Sequence, residues 1–170
     1  MIKLNCFLTA ALLSISSGAA LAGTTSGTPF TVQVTVTAGC NISAGSPSGT
    51  YDFGPVAGTA ATPADIAANV VVTCTNTTPY TIYFTSVNTV TGNTARIMKP
   101  AVGADTVPYV IRQGVTLIGN TKATGFGTGL TGNGSAQTTA INFHITSWSP
   151  TVAAVAPAVY SDTVTLQVDF

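Results

Sequence analysis

The chain has 170 residues, of which 45% are hydrophobic and 6% charged; it contains no glutamate and its formal net charge is zero. A nucleic-acid partner or a polybasic membrane patch is excluded, because phosphate neutralisation needs clustered cations and Arg96, Lys99, Arg112 and Lys122 are scattered. With charge so scarce, threonine, serine, asparagine and glycine must supply the surface, which suits packing into an assembly better than solubility by charge repulsion.

Residues 1–22 read as a bacterial signal peptide. Lys3 supplies a positive n-region, an apolar stretch runs from Phe7 to Ile15, and Ala20-Leu21-Ala22 is a small-x-small cleavage site. The apolar run is too short to span a membrane, and no later segment reaches transmembrane length. Cys6 lies within the leader, away from the cleavage site, which argues against a lipoprotein anchor. The mature chain would begin near Gly23, in the periplasm or outside the cell, with about 150 residues, enough for one domain.

Just behind the leader, Phe30, Val32, Val34 and Val36 alternate with Thr31, Gln33, Thr35 and Thr37. This is a strand with one apolar and one hydroxyl-rich face, in need of a sheet. The two mature cysteines, Cys40 and Cys74, form an even pair in an oxidising compartment and so read as a disulfide. A metal site would need further ligands, and His144 is the sole histidine. Short extended pieces follow at Tyr51–Phe53, closed by Gly54-Pro55, then Asn69–Thr75 and the alternating Tyr80–Thr85. The best helical candidate, Pro63 to Ala68, is too short to stand. Thr106–Arg112 and Val115–Ile118 are expected to pair across Gln113-Gly114. Gly125–Ser135 reads as a glycine-rich loop or hairpin tip, Ala140–Trp148 as an alternating strand, and Tyr160–Phe170 as a last strand with Val164, Leu166, Val168 and Phe170 on one face. About thirty threonines reinforce the strand reading. The fold expected is an antiparallel sandwich of immunoglobulin-like type.

Catalytic motifs dissolve on inspection. Gly127-Thr128-Gly129-Leu130-Thr131-Gly132 fits a dinucleotide fingerprint, but Asn133-Gly134-Ser135 follows where a helix is required. His144, Asp162 and a serine make a triad only on paper, since no Gly-x-Ser-x-Gly elbow exists. His144 falls on the polar side of its strand and reads as exposed. Five separated aspartates offer neither a glycosidase pair nor a calcium loop; Asp52 and Asp162 sit at strand edges, where turn hydrogen bonding is their ordinary role. No catalytic, cofactor or metal residue is expected.

Several segments, in order along the mature chain, resemble the spore coat protein U domain family, which includes subunits of archaic chaperone–usher pili. Val71-Val72-Thr73-Cys74-Thr75-Asn76-Thr77-Thr78-Pro79-Tyr80-Thr81-Ile82 is similar to its second-cysteine strand, and Gly39-Cys40 with Tyr51-Asp52-Phe53-Gly54 to its first-cysteine region. Arg96-Ile97-Met98 with Pro108-Tyr109-Val110-Ile111 resembles its central segment, and Tyr160 to Phe170 its closing strand. A Trp-Gly pair common after the central tyrosine strand is absent; Gln113 to Asn120 stands there instead.

The resemblance implies an incomplete immunoglobulin-like antiparallel β-sandwich, lacking its last strand and completed by donor-strand complementation. A periplasmic chaperone would fill the open groove first. At an outer-membrane usher, the N-terminal strand of the next copy or of a sister pilin subunit would replace it, extending a surface pilus that supports adhesion and biofilm formation. Residues 23–37 would be the donor segment, with Phe30, Val32, Val34 and Val36 entering the neighbour's groove, and residues 38–170 the sandwich domain. Val164, Leu166, Val168 and Phe170 would border the groove and meet the chaperone. Two other readings stand beside this: a monomeric secreted surface- or carbohydrate-binding domain using Gly125–Ser135 and Trp148, and a spore or cyst coat protein.

Overall fold

The computed structural model describes residues 28–57, 61–88, 94–147 and 156–170. The leader over residues 1–22, the beginning of the donor segment at 23–27, and Trp148 lie outside the described residues. The chain divides into two units, Met1–Thr35 and Val36–Phe170.

In the first unit, residues 28–35 belong to no helix or strand, and Phe30, Val32 and Val34 are 84–87% exposed. The strand expected over Phe30–Thr37 is therefore not formed. Alternation supplies a face, but a strand also needs an edge to pair with, and this segment has none.

The second unit is all-β, as composition and alternation predict. Its elements are β1 (Cys40–Ile42), β2 (Ile66–Cys74), β3 (Pro79–Ser86), β4 (Ala95–Pro100), β5 (Val107–Gln113), β6 (Thr116–Leu117), a 3-10 turn (Lys122–Thr124), β7 (Phe126–Thr131), β8 (Ala136–Ile145), β9 (Tyr160–Ser161) and β10 (Val164–Asp169). They form two antiparallel sheets. The larger runs β1-β2-β8-β5-β4-β9, with β6 on β5, and the smaller runs β10-β3-β7. Every second residue of β2, β5 and β8 points inward: Val70 and Val72, Tyr109 and Ile111, Ile141, Phe143 and Ile145. They meet Tyr80, Ile82 and Phe84 of β3 in one core. Cys40 and Cys74 are register partners of β1 and β2 and are joined by a disulfide.

The structure changes four details of the sequence reading. Ile66 and Ala68, part of the weak helical candidate, start β2 and pack against the core. The loop expected over Gly125–Ser135 contains β7, because Phe126 and Leu130 reach the core while Gly127 (φ 105) and Gly129 (φ 106) kink the backbone between them. The register with β3 accordingly slips between Tyr80 and Ile82, as a bulge does. Tyr51–Phe53 has no ladder partner. Finally, the closing strand is two: β9 pairs with β4 in the larger sheet, β10 with β3 in the smaller, and Asp162-Thr163 carries the chain across.

Candidate functional site

β10 is an edge strand. Six consecutive register pairs, from Val164 opposite Ser86 to Asp169 opposite Thr81, tie it to β3. Its other edge has no strand partner among the described residues. Val164, Leu166 and Val168 share the inward face and touch the core, yet they are only partly buried, whereas Tyr80, Ile82 and Phe84 of the neighbouring strand are at most 3% exposed. Apolar side chains are thus held half-open along an edge that has no strand partner among the described residues, the kind of edge that can accept a further strand. Phe170 follows β10 and is 58% exposed, outside the groove lining.

A groove of about 510 Å³ opens beside this edge. It is lined by Phe84, Met98, Tyr109 and Phe143, by Val164 and Leu166 of β10, and by the segment 47–53. A second hollow of about 600 Å³ adjoins it, with Met98, Tyr51 and Phe53 common to both and Val107 and Ile145 deeper in. Tyr51 stacks on Phe143 with ring centroids 5.0 Å apart and planes tilted by 36°. The groove is thus an opening into the core itself.

Two buried polar groups hold its frame. Arg96 of β4 is 1% exposed, and its guanidinium donates to the carbonyls of Phe84 (2.8 Å), Thr94, Ile118 and Gly119 (3.1 Å each). One side chain therefore fastens the larger sheet to the end of β3 and to the β6 connection. Burial pulls the guanidinium's pKa down, while nearby Tyr109 and Asp162 oppose that shift; it stays a cation, since Arg does not deprotonate in proteins. Asp162, at the crossover, accepts from Ser86 Oγ at 2.5 Å, Tyr109 Oη at 2.6 Å and the Asn88 amide at 3.2 Å. Burial, and after it the hydrogen bond to Asp162, raise the Tyr109 pKa far above its usual value, so the phenol remains a donor. The start of β10, and with it the groove edge, is pinned to both sheets.

The expected site residues separate into two sets. Val164 and Leu166 line the groove, Val168 shares their face of β10 without lining it, and Cys40 pairs with Cys74. Phe30, Val32, Val34 and Val36 are 75–87% exposed. Sequence reasoning did not single out Tyr51, Met98, Tyr109 or Arg96 for this site. A buried arginine inverts the usual polarity signal, and the groove floor comes from four separated segments. Asp52 does serve a turn, its Oδ1 accepting the Gly54 amide at 2.8 Å.

His144 is not part of a triad with Asp162. It faces out from β8, half-buried rather than exposed, with Nδ1 2.7 Å from Asp65, which also pairs with Arg112 at 2.6 Å. Among the described residues no group of three or more His, Cys, Asp or Glu is placed to hold a metal, and no helix is long and apolar enough to cross a membrane.

No curated protein and no solved structure matches the chain significantly. A family model, that of the Spore Coat Protein U domain, matches residues 26–167.

Proposed function

The chain belongs to the Spore Coat Protein U domain family, and from that membership we propose that it is a structural subunit of an archaic chaperone–usher pilus, polymerising by donor-strand exchange. The domain occurs in pilus subunits and coat proteins, both structural rather than enzymatic roles. The observation that carries the finer reading is the half-open apolar edge of β10 beside a groove into the core. The exposed alternation of Phe30, Val32, Val34 and Val36 supplies a matching plug on the same chain.

In this mechanism the donor from one subunit lies along β10 of the next. Main-chain hydrogen bonds give affinity and alternate side chains set register. Seven donor residues reach about 23 Å and the six of β10 about 20 Å, so the lengths agree. Burying one Phe and three Val contributes roughly 6–10 kcal/mol before ordering costs. A periplasmic chaperone occupies the groove before assembly and an outer-membrane usher catalyses the replacement, delivering the polymer to the cell surface for adhesion and biofilm formation.

Surface extracts run in detergent, unheated and heated, test the reading. Strand exchange gives a ladder of oligomers that collapses to monomer on heating. A single monomer band in both lanes overturns it.

A further inference from the structure

Asn133-Gly134, in the turn between β7 and β8, is the one Asn-Gly pair in the chain. Such a pair is chemically reactive, because glycine carries no side chain to hinder its own amide nitrogen. Once deprotonated, the Gly134 nitrogen can attack the side-chain carbonyl carbon of Asn133. The new C–N bond closes a five-membered succinimide, and the side-chain amide takes up a proton and leaves as ammonia. Water then opens either ring carbonyl, giving aspartate or isoaspartate at position 133. Both residues are exposed, so burial does not prevent the reaction.

Hydrogen bonding does. The Gly134 amide donates to the Cys74 carbonyl at 3.0 Å, which holds its proton and aims the nitrogen at the end of β2. Asn133 Oδ1 accepts the Ser135 amide at 2.9 Å, which fixes the carboxamide. Gly132 donates to the Thr78 carbonyl at 2.8 Å, and its own carbonyl accepts the Thr77 amide at 2.9 Å. Gly132 is buried so tightly that a Cβ there would lie 2.6 Å from Cys74 Cβ and 2.4 Å from the Thr75 carbonyl oxygen. Cys74 is 1% exposed and joined to Cys40. The turn is thus moulded onto one half of the disulfide.

We propose that Asn133 is a modification site that the Cys40–Cys74 disulfide keeps closed. It stays asparagine in the oxidised fold and converts to aspartate or isoaspartate in chains whose disulfide has not formed or has been reduced. The reaction requires the turn to open, so its rate follows the population of opened forms. Releasing a closed loop of 34 residues raises that population about a hundredfold or more on the chain-entropy model. Isoaspartate routes the main chain through the former side chain and adds an atom to a turn tied at both ends. The bonds of Gly132 and Gly134 to Thr78 and Cys74 then fall out of register. Chains that lingered in the reduced state carry a permanent mark at the very turn that must close over Cys74. The proposal is independent of how subunits assemble.

The purified oxidised chain is incubated in mildly alkaline buffer with and without dithiothreitol, beside a peptide of residues 131–136. Conversion is read by mass spectrometry after digestion at acidic pH, and isoaspartate by enzymatic methylation of its carboxylate. The oxidised chain should convert at least about tenfold slower than the peptide, since opening breaks one or two main-chain hydrogen bonds. The reduced chain should convert at least about tenfold faster than the oxidised one and approach the peptide's rate. Equal rates for oxidised chain and peptide overturn the closure. Equal rates for reduced and oxidised chains overturn control by the disulfide. Gly132→Ala separates the turn from the covalent bond, because its Cβ collides with Cys74 and Thr75. This variant should convert faster than the parent while titration of free thiols shows Cys40–Cys74 formed; a parental rate contradicts the role given to the turn. Should it fail to accumulate, the parent chain with and without reductant decides the matter without any substitution.

Discussion

Arg96 donates to four main-chain carbonyls while 1% exposed, its Nε alone lacking a partner among the described residues. Removing it strands those carbonyls in the core, where an unsatisfied polar group costs about 1–3 kcal/mol. Arg96→Met is expected to destabilise the folded domain by ~3 kcal/mol or more in a denaturant titration. Arg96→Lys should restore less than half of that, because a single ammonium cannot reproduce the planar fork. Asp65 is a surface counterpart. Its hydrogen bond from Arg112, with a smaller contribution from His144, holds its carboxyl below the ordinary aspartate pKa despite partial desolvation. A carboxyl whose folded pKa lies below its unfolded one stabilises the fold above the unfolded value, about 3.9. That contribution disappears as pH falls through the folded value. Asp65→Asn should therefore cost under ~1 kcal/mol at neutral pH, given the exposure of the pair. Thermal melts of the variant and the parent should converge as the pH is lowered below that of an ordinary aspartate; a gap that widens with acidity contradicts the assignment.

At the scale of the element, the proposed function makes the donor segment and β10 two halves of one interaction. Val34→Asp puts a carboxylate on the apolar face of the donor. The lost Val burial and the desolvation of an unpaired charge together weaken the junction by about 4 kcal/mol or more, roughly a thousandfold. Detergent gels of this variant are expected to show monomer without a ladder, and a ladder of parental length would contradict the placement of Val34. β1 is only three residues long and depends on its covalent tie to β2. Closing a loop of 34 residues stabilises by about 3–4 kcal/mol on the chain-entropy model. The Cys40→Ala, Cys74→Ala double variant should fail to accumulate, as immunoblots of cell fractions would show. Much of this was legible beforehand. Alternation locates β3 and the latter part of β8, the valine run most of β2, the Gln113-Gly114 turn β5, and the cysteines pair by count. β4 escaped notice as a strand because Arg96 occupies an inward position where an apolar residue is expected. β7 escaped because glycine is read as loop, whereas here Phe126 and Leu130 anchor a kinked strand. The groove could be seen in the sequence only at its β10 edge. Its floor depends on side chains that tertiary structure alone brings together.

The second unit is an antiparallel β-sandwich, and on the proposed donor-strand reading its β10 edge has consequences for assembly. On that reading a donor on one copy and a groove on the next make a head-to-tail contact, which generates an open filament instead of a closed ring. The smaller sheet has two outer strands, β10 and β7, and they are not equivalent. β10 offers a continuous six-residue ladder, while the β7 register slips and Gly127 and Gly129 sit at positive φ. Kinked edges do not template a further strand. On the proposed reading copies add end to end through β10, and the kinked β7 edge of the smaller sheet offers a neighbouring thread no flat border along which to zip. A fibre built this way keeps the width of a single subunit however long it becomes, and electron micrographs of purified threads would show it as uniform calibre without side-by-side sheets.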